Sequence, residues 1–461
     1  MRANQCERER LRPAAAALMA VFLFAGGPAA AQGPDLPPFP WDLQTCLAMA
    51  QEGNLELAQA RAATRVAKGQ YHQSYGQILP SISGSLDFTR RGFGEAIAYE
   101  NPNTGEIVTR PGRYSNTYSL GGSIRQPVFD MESVYNIRSS MRRFDSSQHG
   151  QNAAHHDLIL AVTERYYALL EALRLEHVAE EAVQLAGDQF RRTESLYQLG
   201  SVPRADVLQA RVTLAGNELD LITARNTVRN ERAQLAVAVG LSSGIEVEID
   251  TTLVLPPTER EWDERQLNDW AQSGRPDLLE VRADVRAAEE QVRAKTWSRF
   301  PTVNATAFYG KQEAESGEIL DDLAFNASWG FTLSLDVNPN PIDQLLLGST
   351  QGAVEQSVWR ARQERRRLDQ KRLQVQLEIR QGILAWEEAE ERLAAAQENL
   401  TYAEENLKLQ RALYEGGGGT LLEWNNAQVE LTRARSEVVQ AEVDVLTALA
   451  GLERSVGRAL R

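Results

Sequence analysis

Nine apolar residues near the end of the chain, Trp424, Ala427, Leu431, Ala434, Val438, Ala441, Val445, Ala448 and Leu452, follow one another at steps of 3, 4, 3, 4 throughout. This is the seam of a coiled coil, and a chain that carries it must pair helices lengthwise. Upstream, from about Leu347, charged and aliphatic residues run for more than sixty positions without a proline. Sixty residues of helix reach about 90 Å, far longer than a globular domain needs. Between the two stretches stand Gly416, Gly417, Gly418 and Gly419. Tyr414 to Thr420 is therefore predicted to be a tight reversal at the far end of a long helical hairpin.

The design occurs twice. A shift of 221 carries Trp41 onto Trp262, Pro80 onto Pro301 and Phe88 onto Tyr309. Later in each half the shift is 217, carrying Tyr197 onto Tyr414, Leu214 onto Leu431 and Gly240 onto Gly457. Several rare residues matching in order point to one internal duplication. The expected division is residues 1–31 as signal peptide, 32–250 as the first repeat and 251–461 as the second. Each repeat reads as a helix, two strands and a long helical hairpin. The opening helix runs from Trp41 to Leu79-Pro80 in the first half, and from Trp262 to Phe300-Pro301 in the second.

The strand signals are alternations of apolar and polar residues. Ile82, Leu86 and Phe88 alternate with Ser81, Ser83, Ser85 and Asp87. Tyr118, Leu120 and Ile124 alternate with Thr117, Ser119, Ser123 and Arg125, and a loop is expected between the two strands from Gly92 to Gly112. In the second half Val303 to Tyr309 alternates, a charged loop is expected from Lys311 to Asp322, and Phe325 to Val337 alternates without a fault. Thirteen alternating residues match a tilted membrane strand. Four strands cannot close a barrel, and an open edge is not tolerated in lipid, so several copies must share one barrel. Three copies would supply twelve strands; alternation alone does not set the number.

Helical arms follow each strand pair. The first runs from about Glu132 to Tyr197, turns at Gly200 to Pro203, and returns with Val207, Ala210, Leu214, Leu221, Ala224, Val228, Leu235 and Ala238 at heptad positions. A second stripe, Leu208, Val212, Ala215, Leu219 and Ile222, lies beside the first. Two stripes require a helical neighbour on each side, and helices with two neighbours can close into a tube. The fold class is thus mainly α with a small β part: long antiparallel hairpins for an α-barrel, and four strands per chain for a shared β-barrel.

Arg2, Arg8, Arg10 and Arg12 precede the apolar run Ala14 to Ala25, and Ala29 to Ala31 supply small residues for cleavage. This reads as a secretory signal peptide. No later run of eighteen apolar residues follows, so membrane insertion is expected by β-barrel. Two cysteines in 461 residues exclude a disulfide framework, and Cys46 is expected to be buried. A net charge of −14 argues against nucleic acid as a partner. No catalytic constellation, phosphate loop or zinc spacing occurs, so neither enzyme activity, cofactor nor metal is expected. His155 and His156 are adjacent and point about 100° apart on a helix, which suits solvation better than metal binding. The basic run Arg360 to Arg372 reads as a solvated face paired with acidic neighbours.

Three features carry a resemblance. Tyr197, Gln198, Leu199, Gly200 is followed by Asp206, Val207, Leu208, and Tyr414, Glu415, Gly416, Gly417 by Leu421, Leu422, Glu423. The Leu-Pro strand openings and the exit Gln126, Pro127, Val128, Phe129, Asp130 complete the set. In these the chain resembles the TolC family of outer-membrane efflux and secretion channels, over residues 41–457. The resemblance implies a homotrimer in outer-membrane lipid, with a twelve-stranded barrel continuing into a helical tunnel through the periplasm of a Gram-negative cell. It implies a periplasmic membrane-fusion adaptor docking on the tips (Leu199, Gly200, Ser201, Glu415, Gly416, Gly417) and an inner-membrane transporter as power source, in an efflux or type I secretion system. It also implies a periplasmic constriction at Glu423 and Asn426, where relatives place two carboxylates and this chain has an acid and an amide. The residue that some relatives use to latch the closed tip falls on Gly419, and the second strand exit departs from the pattern as Asn338, Pro339, Asn340, Pro341, Ile342, Asp343. Glu423 can equally serve as a helix-start carboxylate. A non-conducting secreted coiled-coil scaffold of the envelope is the alternative function.

Overall fold

The computed structural model describes residues 37–93, 97–100, 105–110, 113–257, 262–315, 326–337 and 348–460, and every helix and strand among them belongs to one compact unit, Phe39–Arg461. The expected signal peptide lies outside the described residues, as do Phe325 and the second strand exit from Asn338 to Asp343.

The opening helix of each half is in fact two helices. In the first half α1 (Leu43–Gly53) and α2 (Leu55–Tyr75) meet at Asn54, whose side chain accepts from the amides of Glu56 at 2.9 Å and Leu57 at 3.1 Å. An extended Asn that caps the next helix stops the previous one, which apolar spacing alone does not reveal. Trp41 precedes α1, fully buried, and bridges to Ile249 beside the end of the first repeat. Cys46 on α1 is buried in the same cluster, and burial first, then Asp42, pushes its thiol up to about 12.

The strands are β1 (Ser81–Phe93), β2 (Ile97–Glu100), β3 (Ile107–Arg110) and β4 (Arg113–Phe129) in the first half. The loop expected from Gly92 to Gly112 thus holds a hairpin, β2 on β3, whose four-residue strands are too short to show an alternation. β4 passes into α3 (Met131–Gln198), which is capped by Asp130 and returns as α4 (Arg204–Ala238). Pro203 stands at the N-cap of α4, ahead of the first turn of the returning helix.

The second half repeats the plan with α5 (Glu264–Gly274), α6 (Pro276–Trp297), β5 (Thr302–Glu315), β6 (Asn326–Asp336), α7 (Ser349–Glu415) and α8 (Leu421–Val456). Here Pro276 forces the break, because the residue before a proline avoids the helical region. β5 carries on through Lys311 to Glu315, into the stretch that composition assigns to a loop.

Four strands form one antiparallel sheet in the order β1-β4-β5-β6. The register pairs Ile82 with Ile124, Leu86 with Leu120, Ile124 with Ala307, and Ala307 with Phe331. All of these fall on one face, together with Tyr309 and Trp329. The opposite face carries Ser83 paired with Ser123 and Thr306 paired with Thr332, with Phe308 as an apolar exception. One face is therefore apolar and the other polar, and both are exposed. The outer edges of β1 and β6 have no partner strand among the described residues.

The long helices form a layer in the order α4-α3-α8-α7, and nearer the sheet in the order α2-α3-α6-α7. The expected α8 seam is buried at Trp424, Ala427, Leu431, Ala434, Ala441, Val445 and Leu452, packed against α7 residues such as Trp386, Leu393 and Ala403. The second stripe on α4 is exposed instead, with Val212 66 % and Leu219 65 % accessible. At the opposite edge α7 exposes Leu377, Leu384, Tyr402 and Leu409. No helix among the described residues is long and apolar enough to cross a membrane.

Candidate functional site: the hairpin tips

The two tips close in the same way. Gly200 at φ +74° and Gly417 at φ +77° occupy equivalent positions, each left-handed at the end of its helix. Gly200 donates to Tyr197 O at 2.9 Å and Ser201 to Leu196 O at 2.9 Å; Gly417 donates to Tyr414 O at 3.1 Å and Gly418 to Leu413 O at 2.9 Å. The left-handed position requires a glycine at Gly417, whereas Gly418 has room for a side chain and is not explained by the turn. Gly419 lies against Leu413, where an added Cβ would come within 3.1 Å of that side chain. The Tyr414 amide nitrogen is equally near, so a side chain at this position would press on backbone.

The returning helices start differently. Pro203 opens α4 without a side-chain cap, while Thr420 opens α8 with a capping box. Glu423 Oε2 accepts from the Thr420 amide and hydroxyl, each at 2.9 Å, and the Glu423 amide donates to Thr420 Oγ1 at 3.3 Å. Those bonds, the backbone one first, hold the Glu423 carboxyl below the usual carboxylate range. Glu423 therefore fills the helix-start role. It is exposed with Asn426 one turn further along the same side of α8. Leu199, Gly200, Ser201, Glu415, Gly416 and Gly417 are all exposed at the tips.

The structure also joins residues that sequence reasoning missed. A groove of about 830 Å³ separates the tips, lined by Leu196, Val202, Asp206, Tyr414, Thr420 and Leu421. Asp206 is the equivalent of Glu423 under the shift of 217, a match already present in the sequence. Burial raises the Tyr414 hydroxyl above its ordinary value, and Asp206 adds to the rise. Arg192 on α3 binds Glu415 on α7, and Arg411 binds the same carboxylate at 2.9 Å. Arg411 first, then Arg192, holds Glu415 below the usual carboxylate range.

Above this pair the α3–α8 interface is polar. Gln189 donates to Asn425 Oδ1 at 2.5 Å, and both are buried with Gln428. Gln189 Oε1, Asn425 Nδ2 and Gln428 Oε1 have no hydrogen-bond partner within the protomer. Further up, Arg435 binds Glu181 and Arg174 binds Glu442. Each hairpin is held together by apolar packing, while toward the tips the two hairpins meet through polar groups.

A sheet with one apolar face and open edges, prolonged by a layer of hairpins about 100 Å long, defines the subunit of a membrane channel. The chain matches the family model of the outer membrane efflux protein over residues 46–241 and 267–458, once in each half, and it belongs to that family. It is 25% identical over 422 residues to the outer membrane efflux protein BepC of Brucella suis biovar 1, covering 90% of this chain and 85% of the relative. It is 21% identical to the outer membrane protein TolC of Escherichia coli K12, over 88% of this chain and 80% of that one. Its fold is similar to the solved structure of CusC, with a TM-score of 0.76 and 18% identity over 90% and 92% of the two chains. The Campylobacter jejuni CmeC outer membrane channel is similar too, with a TM-score of 0.76 and 17% identity over 90% and 85%. The chain is an outer-membrane efflux channel of a Gram-negative bacterium that extends into the periplasm. These matches lend no support to the alternative of a non-conducting scaffold.

Proposed function

We propose that three copies of the chain close one conduit, which passively conducts substrates across periplasm and outer membrane after an adaptor docks on the tips. The carrying observation is that sheet and helical layer both end open: the outer edges of β1 and β6 have no partner strand among the described residues, and α4 and α7 bear uncovered apolar stripes. Joining β6 to the next β1 and α7 to the next α4 satisfies both layers with one rotation. Two copies would give eight strands, whose interior side chains fill, and three give twelve with room for a passage. The mature chain then begins near residue 32, with the repeats meeting near residue 250.

An inner-membrane transporter supplies the energy through a periplasmic membrane-fusion adaptor, which engages Leu199, Gly200, Ser201, Glu415, Gly416 and Gly417 around the tip groove. Glu423 and Asn426 narrow the entrance, and three Glu423 carboxylates favour cations there. The polar α3–α8 interface near the tips lets the α7–α8 hairpin part from the α3–α4 hairpin when the adaptor binds.

Leu219→Asp on the α4 stripe tests the closure. It should abolish trimers on native electrophoresis and single-channel conductance in planar bilayers together. Conducting trimers in this variant, or a wild-type assembly of other than three copies, would reject the reading.

A further inference from the structure

Four side chains below the sheet form a ladder that the conduit does not use. Phe300 packs tilted against Trp297 with ring centroids 4.6 Å apart, Trp297 stacks on Tyr135 at 6.5 Å, and the Arg138 guanidinium sits 5.2 Å from the Tyr135 ring. Phe300 is 48 % exposed and stands three residues before Val303, which lies on the apolar face of the sheet. Arg138 is exposed, about two turns into α3, and has no carboxylate partner among the described residues. Nearby, Lys295 pairs with Glu132 at 2.7 Å and Arg293 with Glu290 at 2.9 Å, so Arg138 differs from them in having no carboxylate partner among the described residues.

We infer that this ladder is a binding site for an anionic phospholipid of the leaflet next to the periplasm. The inference rests on the reading of the sheet as a lipid-spanning barrel. Phe300 is exposed two residues before β5, at the end of a sheet whose apolar face is read as meeting lipid, so acyl chain is its natural cover. Trp297 and Tyr135 are amphipathic rings of the kind that settle at a membrane–water interface. Arg138, held against Tyr135, presents a planar fork of donors where a phosphodiester would sit. A second copy of the chain does not cover the ladder, because α3 and α6 lie inside the order α2-α3-α6-α7 and the edges are α2 and α7. A zwitterionic lipid would fit the rings equally well but carries no net charge for Arg138 to select.

Native mass spectrometry of the detergent-solubilised full assembly, given equal phosphatidylglycerol and phosphatidylcholine, tests this. Wild type should retain phosphatidylglycerol about fivefold more than phosphatidylcholine, Arg138→Gln should lose that preference, and Arg138→Lys should keep most of it. Trp297→Ala should lower retention of both lipids alike. Equal retention by wild type, an unchanged preference in Arg138→Gln, or displacement by inorganic phosphate would overturn the inference. So would a photo-crosslinker at Trp297 that captures protein in membranes instead of lipid. Conductance of the same samples separates the two readings: conducting trimers without lipid preference defeat this inference alone, whereas an assembly that neither trimerises nor conducts defeats the channel reading.

Discussion

Asn54 and Arg275 do the same job in the two halves of the chain. Asn54 Nδ2 donates to Ala238 O at 3.2 Å, and Arg275 Nη1 donates to Ser455 O at 2.9 Å, each tying a helix start to the last turn of its own returning arm. The two carbonyls are themselves equivalent under the shift of 217. The environments differ: Arg275 is buried and also engages Asp277 at 2.8 Å and Glu378. Burial alone would raise the Asp277 carboxyl, but Arg275 and Lys371 together hold it below the usual range.

The same position should therefore carry unequal weight. Asn54→Ala should cost about 1–2 kcal/mol, the loss of a cap and one hydrogen bond. Arg275→Met should cost more, about 2–3 kcal/mol, because it strips the Ser455 carbonyl and leaves Asp277 with Lys371 and Glu378 with Arg454. Denaturant unfolding of the two variants compares them, and equal losses would refute the asymmetry.

Gly240 should tolerate no side chain. It is left-handed at φ +88°, and an added Cβ would lie 2.4 Å from the backbone of Gly53. Gly240→Ala should destabilise on the order of 3 kcal/mol or more, whereas Gly216→Ala, in open space on α4, should stabilise by about 0.5–1 kcal/mol. Expression and thermal unfolding of the pair supply the check.

On the proposed constriction, the charge of Glu423 should survive mild acid. Glu423 has its carboxyl held below the ordinary value of 4.5, so its charge is present at neutral pH and lost only as the pH falls below that value. Block of single channels by a multivalent cation should persist through pH 4.5 and fade beneath it. Glu423→Gln should remove the block at every pH, and unchanged block would take Glu423 out of the constriction.

The link between hairpins should bias the resting state. Arg192→Gln leaves Glu415 with Arg411 alone, and open probability without adaptor should rise a few-fold. The double change Gln189→Leu with Asn425→Leu replaces a half-satisfied polar layer by apolar contact, and open probability should fall. Planar-bilayer recordings read both signs; movement in the same direction would mean that the α3–α8 interface does not control opening.

The architecture was legible because repetition and period are properties of residue type. The α8 seam, the two tip glycines and the alternating strands each announce themselves that way. The helix break at Asn54 does not show in the apolar spacing, because a cap depends on one side chain reaching a backbone amide; the break at Arg275 rests on Pro276 alone, and the apolar spacing runs across it. The β2–β3 hairpin was missed because four residues give too few alternations to count. At the tip, Glu423 stood out by its place after the turn. Arg192 and Gln189 lie on the outward run of α3, more than two hundred residues from the Glu415 and Asn425 that they meet, and no local pattern marks such a pair.

The unpaired edges of β1 and β6 have a bearing on how the cell stays sealed. A lone chain placed in the bilayer would present two rows of bare backbone groups to hydrocarbon, each row costly for every group left unmatched. Partial assemblies are penalised in the same way, since adding a copy moves the exposed rows without removing them. Only ring closure eliminates them. The outer membrane is thereby protected from half-built holes, because the step that makes the sheet tolerable in lipid is also the step that completes the pore.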